Sequence, residues 1–231
     1  MQLDVISAGA AKGVVEALAG RFHEGHDTTI AATFGAVGAM KEKLLAGAPC
    51  DAIILTQALL DGLATAGHVR GETIRPLGRV HTGLAVRAGD ALVAIETTDS
   101  LRKSLGAATS LYLPDPDKST AGIHFMKVLE KLDLRDQLAA RLKPFPNGAT
   151  AMAELARATD ARPIGCTQVT EIKYTPGVTL VGVLPHAFEL VTLYSAAVGG
   201  RAANVAIAER FVELMTGPDA KPLRAAAGFE A

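Results

Sequence analysis

The chain has 231 residues, 49% of them hydrophobic, with 23 basic and 24 acidic side chains and a formal net charge of −1. That apolar fraction supplies a core for one large or two small domains, and the charge balance excludes the basic face that nucleic-acid binding needs. Aromatic residues are only 4% and Trp is absent, which excludes an aromatic platform for stacking bases or sugars.

Met1 and Gln2 lead straight into Leu3–Ile6, an apolar run that reads as a first strand, with no basic segment or long apolar stretch ahead of it. The expected location is cytoplasmic if Met1 is the native start, and periplasmic if a signal peptide has been removed. No run is long enough to span a bilayer, so no membrane insertion is expected. Ala10–Phe22 has helical spacing at Val14, Val15, Leu18 and Phe22. Thr28–Phe34 reads as a strand and Gly38–Ala46 as a helix stopped by Gly47-Ala48-Pro49. Asp51–Leu55 and Gln57–Ala66 repeat the strand–helix pattern.

A strand is expected near Gly83–Val86, followed by the turn Arg87-Ala88-Gly89-Asp90. Thr98–Leu105 is expected to be helical, Ser110–Leu113 a strand and Ala121–Leu132 a helix. Asn147 is placed to cap a helix running to Arg157, because its side chain accepts the orphan N–H bonds of a first turn. Pro163–Thr167, Val178–Val183 and Leu190–Val198 read as strands. A last helix spans Ala202–Met215 and ends at Gly217-Pro218. The alternation predicts an α/β protein whose sheets are mixed and flanked by helices.

Motifs for other chemistries fail on spacing. His23-Glu24-Gly25-His26 is not the HExxH zinc pattern, Gly9-Ala10-Ala11-Lys12-Gly13 is not a P-loop, and no GxSxG elbow exists. No metal and no cofactor are expected. Cys50 and Cys166 lie far apart in no ligand spacing and read as two buried thiols.

Four segments in order carry a resemblance: Val5–Ala10; Thr33–Met40 with Leu45-Ala46-Gly47-Ala48-Pro49-Cys50-Asp51; Asp115–His124 with Leu129–Leu132; and Phe211–Pro218 with Gly228-Phe229. Together they resemble the periplasmic molybdate-binding proteins and their wider solute-binding family, whose fold is the two-lobed type 2 periplasmic-binding-protein fold. The resemblance implies one lobe from residues 1–81 plus 192–231 and another from 82–191, a hinge of two crossing strands, and a small anionic ligand in the cleft between the lobes. It also implies a membrane permease of the ABC type as partner.

The residues agree with an anion site. Ala10, Gly38, Ala121 and Gly148 each open a helix after a turn, and such N-termini offer unpaired N–H groups and a positive dipole end. The ligand-binding candidates are Ser7, Gly9, Ala10, Gly35, Ala36, Val37, Thr56, Thr82, Ser119, Thr120, Ala121, Asn147, Thr167 and Gln168. The molybdate binders use hydroxyls on these turns and a tyrosine from the second lobe. This chain has Ala10, Ala36 or Val37, and Gln168 there, a softer set that suits an organic carboxylate rather than molybdate. The alternative is an isomerase of a small unsaturated carboxylate, since aconitate isomerase resembles the molybdate binders. A proton shift would then need a base, with His81, His124 and Glu171 as catalytic candidates.

Overall fold

The computed structural model describes all residues, Met1–Ala231. Strand β1 (Gln2–Ala8) lies between two parallel neighbours, β2 (Thr29–Gly35) and β3 (Ala52–Thr56). A central parallel strand is covered on both faces, so it reads as an apolar run rather than an alternation. Leu3, Val5 and Ile6 are accordingly buried, as are Ile53, Ile54 and Leu55.

The crossovers are helices α1 (Lys12–His26) and α2 (Val37–Leu45), and α3 (Gln57–Thr65) follows β3. Val14, Val15, Leu18 and Phe22 form the buried stripe of α1, as their spacing predicts. The helix continues four residues past Phe22, through Gly25, until Asp27, whose left-handed φ of 47° ends it.

Strand β4 (Arg75–Arg87) starts well before the expected Gly83. Pro76 and Gly78 mask its first half in the sequence. Gly78 is required there: its φ is 146°, and a Cβ would stand 2.5 Å from the Glu230 carbonyl oxygen. That close approach is a backbone bridge, with Arg79 and Glu230 exchanging N–H···O bonds of 2.7 and 2.8 Å.

The chain forms two compact units, Met1–Val80 with Thr192–Ala231, and His81–Val191. In the second unit α4 (Thr98–Ala107) opens with a capping box between Thr97 and Ser100. Then come β5 (Ser110–Pro114), α5 (Thr120–Lys131), the short α6 (Arg135–Leu138), β6 (Leu142–Phe145), α7 (Gly148–Ala156), β7 (Pro163–Gln168), α8 (Val169–Tyr174) and β8 (Val178–Val183). β5 pairs in parallel with β6 and β7, whereas β4 runs antiparallel to β7 and β8. Phe125, Leu101, Leu105 and Leu129 fill the core on one side of this sheet. Met152 and Leu155 of α7 belong to a second cluster with Tyr112 and Ile172.

The chain returns to the first unit through β9 (Val191–Val198), antiparallel to β3, giving the order β2-β1-β3-β9. Helix α9 (Val205–Thr216) starts three residues after the expected Ala202, because the Asn204 side chain accepts from the Ile207 N–H at 3.1 Å and fixes the start. Its Phe211 meets Phe22 of α1 edge-on, ring centroids 5.5 Å apart. α10 (Lys221–Ala227) ends at the left-handed Gly228. No helix is long and apolar enough to cross a membrane.

Cys166 is buried as expected, but Cys50 is only partly so, and the two are unbonded. Burial pushes the Cys50 thiol up to about 12, leaving it unreactive near neutrality.

Candidate functional site

The strand register gathers the expected binding turns of the first unit on one edge. Ala8 lies opposite Gly35, and Ser7 opposite Ile54, so β1, β2 and β3 end together. In α/β sheets this carboxyl edge is where ligands bind. Gly9–Ala11 make a single tight turn into α1, Ala36 is the N-cap of α2, and Thr56 is the N-cap of α3. None of these helix starts is capped by a side chain. Their first N–H groups therefore keep the capacity to receive an acceptor.

Two polar side chains on this rim are already engaged. Ser7 is fully buried and donates to the Ala8 carbonyl at 3.0 Å. Gln57 accepts from the Ser195 hydroxyl at 2.5 Å and donates to Asp61 at 2.7 Å. At Gly35 a Cβ would stand 2.7 Å from the Met40 methyl, so glycine lets α2 sit tightly against the strand end. A cavity of about 380 Å³ in the same unit opens at the other end of β3, walled by Leu44, Leu45, Pro49, Cys50, His68 and Arg201. It shares no residue with the rim.

The second unit has an equivalent rim. Pro114 pairs with Phe145, and Tyr112 with Gly165, so β5, β6 and β7 end at a common edge. Antiparallel pairing of β4 brings Thr82 opposite Gln168 at the same edge. Ser119 caps α5, its Oγ accepting from Gly122 N–H at 3.5 Å, with Thr120 and Ala121 opening the helix. Asn147 caps α7 as expected, its Oδ1 accepting from Thr150 N–H at 2.9 Å.

Glu171 corrects one expectation. The N–H groups that open α7 were expected to face a ligand, but the Glu171 carboxylate takes the Gly148 and Ala149 amides, together with that of Gln168. Thr167 donates to the same carboxylate at 2.5 Å. A Cβ at Gly148 would collide with both the Glu171 carboxylate and the Thr167 hydroxyl, so glycine makes room for this pair. Burial pushes the Glu171 carboxyl up, while the Thr167 hydroxyl and the three amides pull it down; burial wins. Thr167 is therefore committed to its own protein's carboxylate.

The other two candidate bases are tied within the second unit. His81 Nδ1 lies 3.2 Å from a Glu189 oxygen, and His124 Nε2 is 2.7 Å from the Phe188 carbonyl oxygen. No group of three or more His, Cys, Asp or Glu side chains is placed to hold a metal ion.

Three residues at this edge behave differently from the rest. Thr82, Gln168 and Thr170 are 1%, 3% and 2% exposed, yet the Thr82 and Thr170 hydroxyls and both polar atoms of the Gln168 carboxamide have no hydrogen-bond partner. Buried polar groups are nearly always paired, so these four atoms stand out among the polar groups of the edge. Thr170 was missed by the sequence reading; its position two residues after Gln168 was the available signal.

A match to the bacterial extracellular solute-binding protein family spans residues 3–230. The chain belongs to that family. It is 26% identical over 224 residues to an aconitate isomerase from a Pseudomonas species, covering 94% of this chain and 83% of that one. It is also 26% identical over 232 residues to the molybdate-binding protein ModA of Escherichia coli, covering 99% and 88%. Among solved structures, the periplasmic molybdate-binding protein of Azotobacter vinelandii aligns with a TM-score of 0.80 at 21% identity, covering 99% of each chain. The fold is thus of the periplasmic-binding-protein type, and the chain is a molybdate-binder-like member of its family.

Proposed function

We propose that this solute-binding protein takes up one small organic carboxylate on the backbone amides of helix starts and delivers it to a membrane permease. The observation that carries the reading is the first unit's rim, where three helix starts without side-chain caps open on small residues, Ala11, Ala36 and Thr56. Backbone amides suit a carboxylate, and small side chains let it approach them. A tetrahedral oxyanion needs a denser ring of donors, because each of its oxygens loses water on binding. Ala10 and Val37 bring no hydroxyl, and the hydroxyls of Ser7 and Thr167 are spent inside the protein.

The aconitate isomerase relative raises catalysis as the rival reading. Against it stand His81, His124 and Glu171, each engaged by its own unit rather than presented for proton transfer.

Isothermal titration against molybdate, sulfate and a panel of carboxylates tests the carrier reading. A carboxylate is expected to bind with a stoichiometry of one and molybdate only weakly; micromolar or tighter molybdate binding overturns the carboxylate assignment. Incubation with cis- and trans-aconitate, followed by NMR, is expected to show no interconversion. Turnover there would make the chain an enzyme.

A further inference from the structure

The unpartnered groups at the end of β7 contain more than donors. Thr82 and Gln168 stand on directly opposed residues of β4 and β7, yet their side chains do not bond each other. Thr170 adds a second buried hydroxyl close by in sequence. A hydroxyl can turn to donate or accept, and the Gln168 Nε2 can only donate, so these atoms would satisfy a plain anion. The Gln168 Oε1 cannot. It is an acceptor, shielded from solvent, and a fully ionised carboxylate or tetrahedral oxyanion offers it nothing but another acceptor.

We infer that the ligand is a carboxylate bearing its own hydrogen-bond donor, a hydroxyl or an amino group, and that Gln168 with Thr82 reads that substituent. The inference rests on the carrier reading above and sharpens its ligand class. Such a ligand pairs the carboxamide at both ends, its hydroxyl or amino group donating to Oε1 and a carboxylate oxygen accepting from Nε2. An unsubstituted carboxylate leaves Oε1 buried and unpaired, which a site built around polar groups penalises heavily.

The chemistry also predicts how the free protein responds. A buried amide without partners is a stability cost, and an apolar side chain of the same shape removes that cost. Gln168→Met should therefore hold or raise the melting temperature while abolishing the discrimination, and Thr82→Val should do so in part. An amide with a structural task would show the reverse, a drop in melting temperature.

The experiment is calorimetric titration of wild type, Gln168→Met and Thr82→Val with two matched sets: succinate, malate and aspartate; and propionate, lactate and alanine. In wild type the hydroxyl- or amino-bearing member of at least one set is expected to bind about tenfold or more tightly than its plain counterpart, a difference typical of one buried hydrogen bond. In Gln168→Met that ratio should fall to about one. Equal binding of plain and substituted acids by wild type overturns the inference and leaves the carboxylate carrier standing. So does a preference that survives in both variants, or a lower melting temperature of unliganded Gln168→Met. Binding of molybdate or sulfate alone overturns the carrier's carboxylate assignment and this inference together.

Discussion

Glu171 shows how one side chain redistributes the chemistry of a rim. Its carboxylate plays the part of a ligand toward the α7 amides, so that helix start is satisfied internally. Because burial holds its carboxyl above the ordinary value of 4.5, the folded chain takes up a proton at a higher pH than the unfolded chain does. Above the folded value both states are ionised and the buried charge is a standing cost. As pH falls through the folded value that cost is relieved, and the relief is complete below the unfolded value. Wild type should therefore gain stability relative to Glu171→Gln as pH is lowered from 7.5 to 5, as measured by urea unfolding of both proteins. Parallel pH profiles would show that the carboxyl is not raised.

Elements explain what the sequence could and could not convey. Loss of the Asn204 cap in Asn204→Ala should cost about 1 kcal/mol, and Phe211→Ala about 3–5 kcal/mol, since the latter opens a void between α1 and α9. Chemical denaturation would read both, and an equal cost would contradict the packing described. The strand–helix alternation from β1 to α3 was legible because each strand is a short apolar run and each helix keeps its buried stripe in register. The start of β4 was not, because Pro76 and Gly78 look like a turn until Glu230 is known to pair beside them. Nor was β6, four residues with Pro144 inside a strand paired only with β5. α8 opens on the β-branched Val169 and Thr170 and runs only six residues, too short for a period to show. For the site, the turns that form both rims were legible from their small residues. Which donors those rims keep was not: the Ser7 hydroxyl goes to the Ala8 carbonyl and the Thr167 hydroxyl to Glu171, local bonds that depend on rotamers no residue pattern announces.

On the scale of the whole molecule, the family assignment rests on a match to nearly the full chain, and the fold follows from neighbours that align along its whole length. The order of the chain through the two units has its own consequence. β3 finds its antiparallel neighbour in β9, a segment that follows residues 81–191. The second unit is a continuous stretch whose contacts are local by comparison, and local contacts form first because less chain entropy is lost in closing them. Pulsed hydrogen exchange during refolding should protect amides of β5 and β7 before those of β3 and β9; simultaneous protection would refute that order. During synthesis the same asymmetry leaves the β3 edge bare while the ribosome reads out more than a hundred further residues. A nascent chain in that state carries Ile53, Ile54 and Leu55 on a strand with one open edge, so the burden of escorting this protein to its folded form falls on the long stretch of translation between β3 and β9 rather than on the finished polypeptide.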